Sequence, residues 1–513
     1  MKIPLKLLSL LAAMVLVAAA CTGGGEEEGA DSTEDDGGDQ LSSEAAVADE
    51  TTTTTEAAPE ITVTIDELEA QWATARAAVV ERLSSDGFGV GEDNILRGPG
   101  GFELDLGACP AGWSDTAGIE ENIVIGLTAP QSGQLAVFGN IGDGMAAYFD
   151  YINDNGGVND QQLELIIKDD AYDADVTINV VDELLADDDP FAVTTFGSPN
   201  TFAVYDTLNE RCVPQPFVQS GHPAFGDPVD HPFTTGLQMA YSTEAIIWGE
   251  WIRQELADQL PVKVGALFVE SDFGRAYEIG FRQWAAANPD VVSEFEAIPH
   301  GQAAVSVTNE MANVAAGNPD VFISMTAGNA CLQAVQEAGN LGLAESTQLR
   351  FAPSVCKSPE QYMIPAGAAG DGFLIVGGGV KVNSDPVYAG DPFVAFVNDE
   401  LDARGLDSGN SLHGSGFGAF GWAHVEALRI AAELPGGLSR SNLLLAMRGL
   451  DLQHPYHLDG IRFASSGIDD AFLIEGSELS RYDAEAELWE QLGDPVDLDG
   501  ASPNCPWVIG QGC

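Results

Sequence analysis

Ile123-Val124-Ile125-Gly126-Leu127-Thr128-Ala129-Pro130-Gln131-Ser132-Gly133 opens the stretch on which the fold turns. It continues through Phe138-Gly139 and Ile152-Asn153-Asp154-Asn155-Gly156-Gly157-Val158 to Leu163-Glu164-Leu165-Ile166-Ile167-Lys168-Asp169-Asp170. Ile123 to Leu127 is a short apolar run stopped by turn residues, which predicts a buried strand. Ser132-Gly133 ends it in a tight turn, where glycine tolerates backbone angles closed to other residues. Met145 to Asn153 has helical spacing. Gly156-Gly157 stands where that helix must stop and turn into a strand from Leu163 to Ile167.

Outward from this unit the alternation repeats. Helices are expected over Val176 to Leu185 and Phe202 to Asn209, with strands at Phe191 to Phe196 and around Phe217. Further on come the strand Val262 to Val269, the helix Tyr277 to Ala286 and the strands Val321 to Met325 and Leu349 to Ala352. The last two are separated by the helix Leu332 to Ala338. Strands alternating with helices of this length predict βαβ units and an α/β fold built on parallel sheets. About 370 residues in this style exceed one comfortable core, so two lobes are expected.

Several ordered motifs add to this pattern: Gly197-Ser198-Pro199-Asn200-Thr201, Phe273-Gly274 and Ala338-Gly339. Together with the opening stretch they resemble the type I periplasmic solute-binding proteins of the leucine/isoleucine/valine-binding family, which serve ABC importers. The resemblance spans residues 120 to about 490. It implies two Rossmann-like lobes, each a mostly parallel sheet flanked by helices, joined by three hinge crossovers. We place the crossings near Gln238, Val376 and Pro455. Lobe 1 is then 119–238 with 377–454, and lobe 2 is 239–376 with 455–492. A C-terminal tail occupies 493–513.

Ligand contacts follow from the same resemblance. The family's serine at the position of Ser198 binds the ligand carboxylate, and Thr201 is a weaker candidate beside it. Ser-Pro before a helix also makes an N-terminus whose free N–H groups favour an anion, so Ser198 as helix cap alone stays an open reading. Ser220, Gly221 and His222 align with a second carboxylate-contacting loop, where His222 departs from the small residues usual there. Phe138 and Phe273 fall where the family sets aromatic walls, one on each lobe, and either is equally readable as core. Thr326 and Ser354 end strands of the second lobe and are expected to face the cleft. In amino-acid binders of the family an acidic residue near the position of Ser354 holds the ammonium group, and no acid stands there in this sequence. A small polar solute is expected, and an amide, a small organic acid or another polar solute is at least as good an expectation as an amino acid.

The chain's beginning adds a location. Lys2 and Lys6 precede an apolar run from Leu7 to Ala20, too short for the ~20 residues of a membrane span but suited to a secretory signal. Ala18-Ala19-Ala20-Cys21 resembles a bacterial lipobox, which implies a signal over 1–20 and a lipid on Cys21. Residues 21–60 are mostly Gly, Glu, Asp, Ser, Thr and Ala, too poor in apolar surface to offset ordering entropy, and are expected to form a disordered acidic tether reaching ~35 Å. Residues 61–118 read as an N-terminal extension, with Leu68, Trp72, Ala75, Val79, Val80 and Leu83 on one stripe of a helix from Ile65 to Ser84.

Of the 7 cysteines, six remain after Cys21, an even number that outside the reducing cytoplasm points to disulfides. Six cysteines allow fifteen pairings; we expect Cys331 with Cys356, Cys109 with Cys212 and Cys505 with Cys513. A metal is not expected, since no pair has zinc-knuckle spacing and His454-Pro455-Tyr456-His457 is too short to claim one. The formal net charge of -60 repels nucleic acid and anionic lipid heads, so membrane contact is expected through the lipid alone. Gly416-Phe417-Gly418-Ala419-Phe420-Gly421 matches a dinucleotide fingerprint formally, but no strand precedes it, so Phe420 and Trp422 read as packing residues. No nucleophile elbow or P-loop occurs. The expectation is a monomeric binding protein with no cofactor and no catalysis, partnered by ABC permease subunits. The rival reading is a surface sensor that hands ligand occupancy to a signalling partner.

Overall fold

The computed structural model describes residues 63–500 together with 502, 507, 508, 511 and 512. The signal, Cys21, the tether and the Cys505–Cys513 pairing lie outside the described residues. Thr64 and Glu67 start the first described helix with a reciprocal cap. The Thr64 hydroxyl accepts from the Glu67 N–H and the Glu67 carboxylate accepts from the Thr64 N–H. This helix, α1 (Ile65–Ser85), buries Trp72, Val79 and Leu83. An antiparallel meander follows: β1 (Gly89–Val90), β2 (Ile95–Arg97) and β3 (Glu103–Asp105).

Apolar runs without polar alternation then form strands covered on both faces, as parallel sheets require. The first lobe begins β4 (Ile123–Ala129), α2 (Gly139–Asp154), β5 (Leu163–Asp169), α3 (Ala174–Glu183) and β6 (Ala192–Thr195). It continues with α4 (Ser198–Glu210), β7 (Gln215–Val218) and β8 (Thr234–Gly236). β5, β4 and β6 are parallel neighbours in that order. The Val193 N–H to Pro214 O and Gln219 N–H to Thr195 O bonds carry the sheet on to β7, which pairs in parallel with β8. Gly133 (φ 82) and Gly156 (φ 100) make the two expected turns.

The second lobe repeats the order. It contains α5 (Tyr241–Glu255), β9 (Val262–Val269), α6 (Asp272–Ala287), β10 (Val292–His300), α7 (Thr308–Ala316) and β11 (Val321–Met325). Then come α8 (Asn329–Asn340), the short α9 (Leu343–Ser346), β12 (Leu349–Ala352) and β13 (Leu374–Val376). The strands pair in parallel in the order β10-β9-β11-β12-β13. The chain next returns to the first lobe as α10 (Pro392–Ala403), the short α11 (Ser411–Gly414), α12 (Trp422–Glu433) and α13 (Arg440–Met447), then β14 (Asp451–Leu452) paired with β15 (Phe463–Ala464). It ends in β16 (Gly476–Ser477), β17 (Leu479–Asp483), β18 (Leu488–Gln491) and β19 (Val496–Asp497), of which β17 and β18 extend the second sheet antiparallel from β13. β10 was not expected: as the outer strand it carries Glu294, Glu296 and Pro299, the composition an edge tolerates.

Between the sheets the chain passes at residues 237–240 and 377–381, near the expected Gln238 and Val376. The third passage differs from the expected Pro455. Residues 463–467 stay with the first lobe, because the Ser465 N–H bonds to Leu450 O and the Gly467 N–H to Arg448 O. The chain reaches the second sheet only at β17, so the third passage lies at 474–478.

The extension is built into the first lobe. Trp72 stands edge-on to Phe393 and Trp422, with ring centroids 5.4 and 5.8 Å away. Arg76 and Arg429 both bind the fully buried Glu426 at 2.9 Å, and Arg440 donates to Ser114 O, Pro190 O and Phe191 O. A disulfide joins Cys109 to Cys212, and a second joins Cys331 to Cys356 in the other lobe. Trp72→Ala empties this contact and is expected to cost ~3–5 kcal/mol of stability in denaturant unfolding. An unshifted midpoint would show that the extension docks loosely.

Candidate functional site

Open parallel sheets offer room for a ligand at the carboxyl ends of their strands, where the strand order reverses. Both sheets turn those ends toward each other. The cleft between them holds about 1150 Å³ of empty space, counting its open side. Phe196 and Gly197 reach it from the end of β6, Gln219 from β7, Phe273 from beyond β9, Ala327 from β11, and Ser354 from β12. The crossing segments contribute Gln238, Met239, Gly377 and Ile474.

Aromatic rings stand in both walls, among more numerous aliphatic side chains. Phe138 lies 5.2 Å from Phe196, and Phe196 lies 5.9 Å from Tyr172, all on the first lobe. On the second, Phe273 stands edge-on to Tyr241 at 5.1 Å, and Tyr241 stacks on Tyr277 at 4.4 Å. The paired aspartates of the opening stretch place Tyr172. Asp169 accepts from the N–H groups of Gln131, Ser132 and Ala171, and buried Asp170 accepts from Tyr172 N–H, Thr177 Oγ1 and Asn200 Nδ2. The Tyr172 ring then covers Gly197, where any Cβ would come within 2.2 Å of it.

Of the nine expected ligand contacts, Phe138, Phe273 and Ser354 line the cleft. The others lie behind its wall. Ser198 is the first residue of α4 and not its cap, which is Gly197 at φ 88. The Ser198 hydroxyl instead pairs with the Ser220 hydroxyl at 2.9 Å, both buried. At this helix start the Tyr172 ring and hydroxyl crowd Gly197, coming within 2.2 and 2.8 Å of where a Cβ would stand. Thr201 pairs with Thr195 at 2.8 Å and with Gly197 O. Gly221 has no room for a Cβ, which would meet Met239 O at 2.3 Å and the Tyr241 ring at 2.6 Å. His222 adds no charge to the cleft. It packs among Phe202, Phe225 and Trp507, and burial pushes its pKa down to about 3. Thr326 bonds to Ser324 at 2.8 Å, leaving its neighbour Ala327 to face the cleft.

The lobes meet directly around this space. Gln302 Nε2 donates to Tyr172 O at 3.2 Å, and Gly328 is packed against Leu135. On the far rim Glu360 accepts from the Ser411 N–H and the Ser384 hydroxyl, both at 2.8 Å, and the Ser358 and Ser411 hydroxyls are bonded to each other.

A family model described as "periplasmic binding protein" matches residues 122–467. The chain belongs to the periplasmic binding protein family. It has the type I fold of that family, shared with solved structures at low identity. One is a fatty acid ABC transporter substrate-binding protein from Thermomonospora curvata, at 18% identity and TM-score 0.62, covering 79% of this chain and 96% of that one. Another is a branched chain amino acid ABC transporter from Thermus thermophilus with bound valine, at 15% and 0.64, covering 74% and 97%. A third is a solute binding protein of an ABC transporter from Rhodopseudomonas palustris BisB5 in complex with 3,4-dihydroxy benzoic acid, at 18% and 0.59, covering 74% and 98%. Comparison with curated protein sequences finds no match.

Sequence reasoning missed four features of this binding protein's cleft. Tyr172 and Gln219 lie just beyond strand ends and Tyr241 opens α5, where one residue of register decides whether a side chain faces the cleft. Phe420, read as packing, lines the cleft as well. Its glycine-rich segment is helical and packs on α2, where a Cβ on Gly416 would come within 2.0 Å of Ile141 O. Third, an acid does reach Ser354, from another element. Glu244 of α5 is fully buried and accepts from the Ser354 N–H and hydroxyl at 2.8 Å and from the Tyr277 hydroxyl at 2.7 Å. Burial pushes its pKa up to about 8, so it stands neutral at pH 7. Fourth, Lys357 and Lys381 line the cleft as internally matched cations. Lys357 pairs with buried Glu478 and donates to Val380 O. Burial pulls its pKa down, but the Glu478 carboxylate more than offsets this, and the ammonium is retained. Lys381 pairs with Asp391 at 2.5 Å and with Pro455 O at 2.9 Å.

Because the folded-state pKa of Glu244 lies above its ordinary 4.5, its contribution to stability is complete below that value and is lost as pH rises toward 8. Relative to Glu244→Gln, the unsubstituted protein is expected to lose up to ~1.4 kcal/mol per pH unit across that window. Chemical denaturation at pH 5, 6, 7 and 8 measures this, and parallel profiles would contradict it.

Proposed function

We propose that this protein is the lipid-anchored, extracytoplasmic solute-binding component of an ABC-type importer. It captures a small solute with a largely apolar body by hinge closure of its two lobes. The observation that carries the reading is the cleft itself, walled by aromatic rings from both lobes and bounded by direct contacts between them. A guest touching both walls stabilises the closed state, because only that state makes both sets of contacts. Aromatic walls give large contact area with few rotors, which suits an apolar guest better than a small polar one. The relatives of similar fold carry, in their descriptions, fatty acid, valine and 3,4-dihydroxy benzoic acid, all with apolar parts. The lobe surfaces brought together by closure would be read by permease subunits. Cys21 and the tether would raise the binder's local concentration near them.

Two measurements test this. Native mass spectrometry identifies the solute that co-purifies, and calorimetry with that solute follows Phe138→Ala and Phe273→Ala. Each substitution is expected to weaken binding ~10–100-fold. X-ray scattering is expected to show contraction on addition of the solute to stripped protein. A shape and affinity indifferent to it, and to both substitutions, would overturn the reading. For the anchor, Cys21→Ser is expected to move the protein from the membrane to the soluble fraction, and membrane retention would exclude a lipid on that residue.

A further inference from the structure

Gln219 is only 3% exposed and lines the cleft, yet neither its Nε2 nor its Oε1 has a hydrogen-bond partner among the described residues. Its backbone is pinned on both sides. The Gln219 N–H donates to Thr195 O at 2.8 Å, and its carbonyl accepts from the Gly197 N–H at 3.1 Å. The residue is thereby fixed at the carboxyl end of β7, in the cleft wall. A primary amide offers two donors and an acceptor, and leaving them unpaired in a dry site is unfavourable.

Several neighbouring polar groups of the wall are already matched, and the Gln238 amide, which accepts from the Tyr241 hydroxyl at 3.4 Å, lines it as well. Lys357 is paired with Glu478 and Lys381 with Asp391, so each cation is neutralised from within. Ser354 donates to Glu244, and Ser358 and Ser411 are bonded to each other. The Tyr172 ring lies over Gly197 at the start of α4. Among the described residues, no arginine lines the cleft.

We infer that the cleft takes the polar end of its guest as an uncharged group carrying a donor and an acceptor side by side, such as an amide, urea or lactam, with Gln219 as the residue that recognises it. This rests on the solute-binding reading above. A carboxylate brings acceptors only, answers the Gln219 Nε2 but sets a like charge against Oε1, and meets no unpaired cation. An ammonium brings donors only and leaves Nε2 without a partner. A neutral amide satisfies both ends of the Gln219 side chain in one planar contact, while its body occupies the aromatic walls.

The test uses matched pairs of probes on stripped full-length protein in calorimetry: benzamide with benzoate, phenylacetamide with phenylacetate, hexanamide with hexanoate. In the pairs that bind, the amide is expected to bind at least about tenfold tighter than the carboxylate. Gln219→Leu and Gln219→Met are expected to erase that preference while leaving the ligand-free melting temperature unchanged or raised, since an unpaired buried amide is removed. A purely structural glutamine would instead lower the melting temperature and leave the preference intact. Carboxylates binding as tightly as amides, or a preference that survives both substitutions, overturns the inference and leaves solute binding standing. If no probe binds, the co-purified solute decides: a charged polar end overturns the inference and a neutral one supports it. The absence of both probe binding and any co-purified solute overturns the inference and the binding reading together.

Discussion

A parallel strand buried on both faces leaves no room for a ligand along its length, because helices occupy both sides and the ladder occupies both edges. Free space survives only where strands end. In this binding protein the carboxyl ends of two sheets of the same order face each other, and the cleft is made from the residues just past those ends: Phe196, Gln219, Ala327 and Ser354. The crossings at 237–240, 377–381 and 474–478 then serve as both hinge and floor. The same constraint explains why loops of only a few residues carry so much of the site. Each is held by a helix start or by carboxylates such as Asp169 and Asp170 accepting from backbone N–H groups.

Charge is arranged differently inside and outside. The chain as a whole carries a formal net charge of -60. Around the cleft, however, charges are matched one to one or suppressed by burial. Lys357 and Glu478 form a buried pair whose carboxylate also accepts from the Gly379 N–H, tying the second and third crossings together. Such a pair gains little net stability against its desolvation cost, but removing one partner leaves a buried charge uncompensated. Its placement at two crossings gives it a geometric role, since it fixes where the two lobes join. Glu244 illustrates suppression: an acid brought to Ser354 by α5 stays protonated because nothing cationic accompanies it.

The N-terminal extension resolves into a permanent part of the first lobe. Trp72 fills a site between α10 and α12, and Glu426 at the helix face is matched by arginines from both the extension and its own helix.

Local pattern was enough for most of the strand–helix alternation, while the two joined lobes came from the family resemblance and β10 and the third passage were not foreseen. Uninterrupted runs such as Ile123 to Ala129, glycines such as Gly133 and Gly156, and the ordered motifs from Gly126 to Asp170 dictate strands, turns and alternation, since these depend on neighbours within a few residues. Two wall residues, Phe138 and Phe273, and Ser354 followed from the same motifs. What only the tertiary structure decided is which side chains share the cleft. Ser198, Thr201, Ser220, His222 and Thr326 lie at strand ends or helix starts as expected, but each rotates into a buried contact whose partner is distant in sequence or set by register. Glu244 reaches Ser354 across 110 positions, and Tyr172 covers the helix start that an anion was expected to use. Periodicity records whether a residue is covered; the identity of what covers it arises only when separate strands and helices are brought face to face.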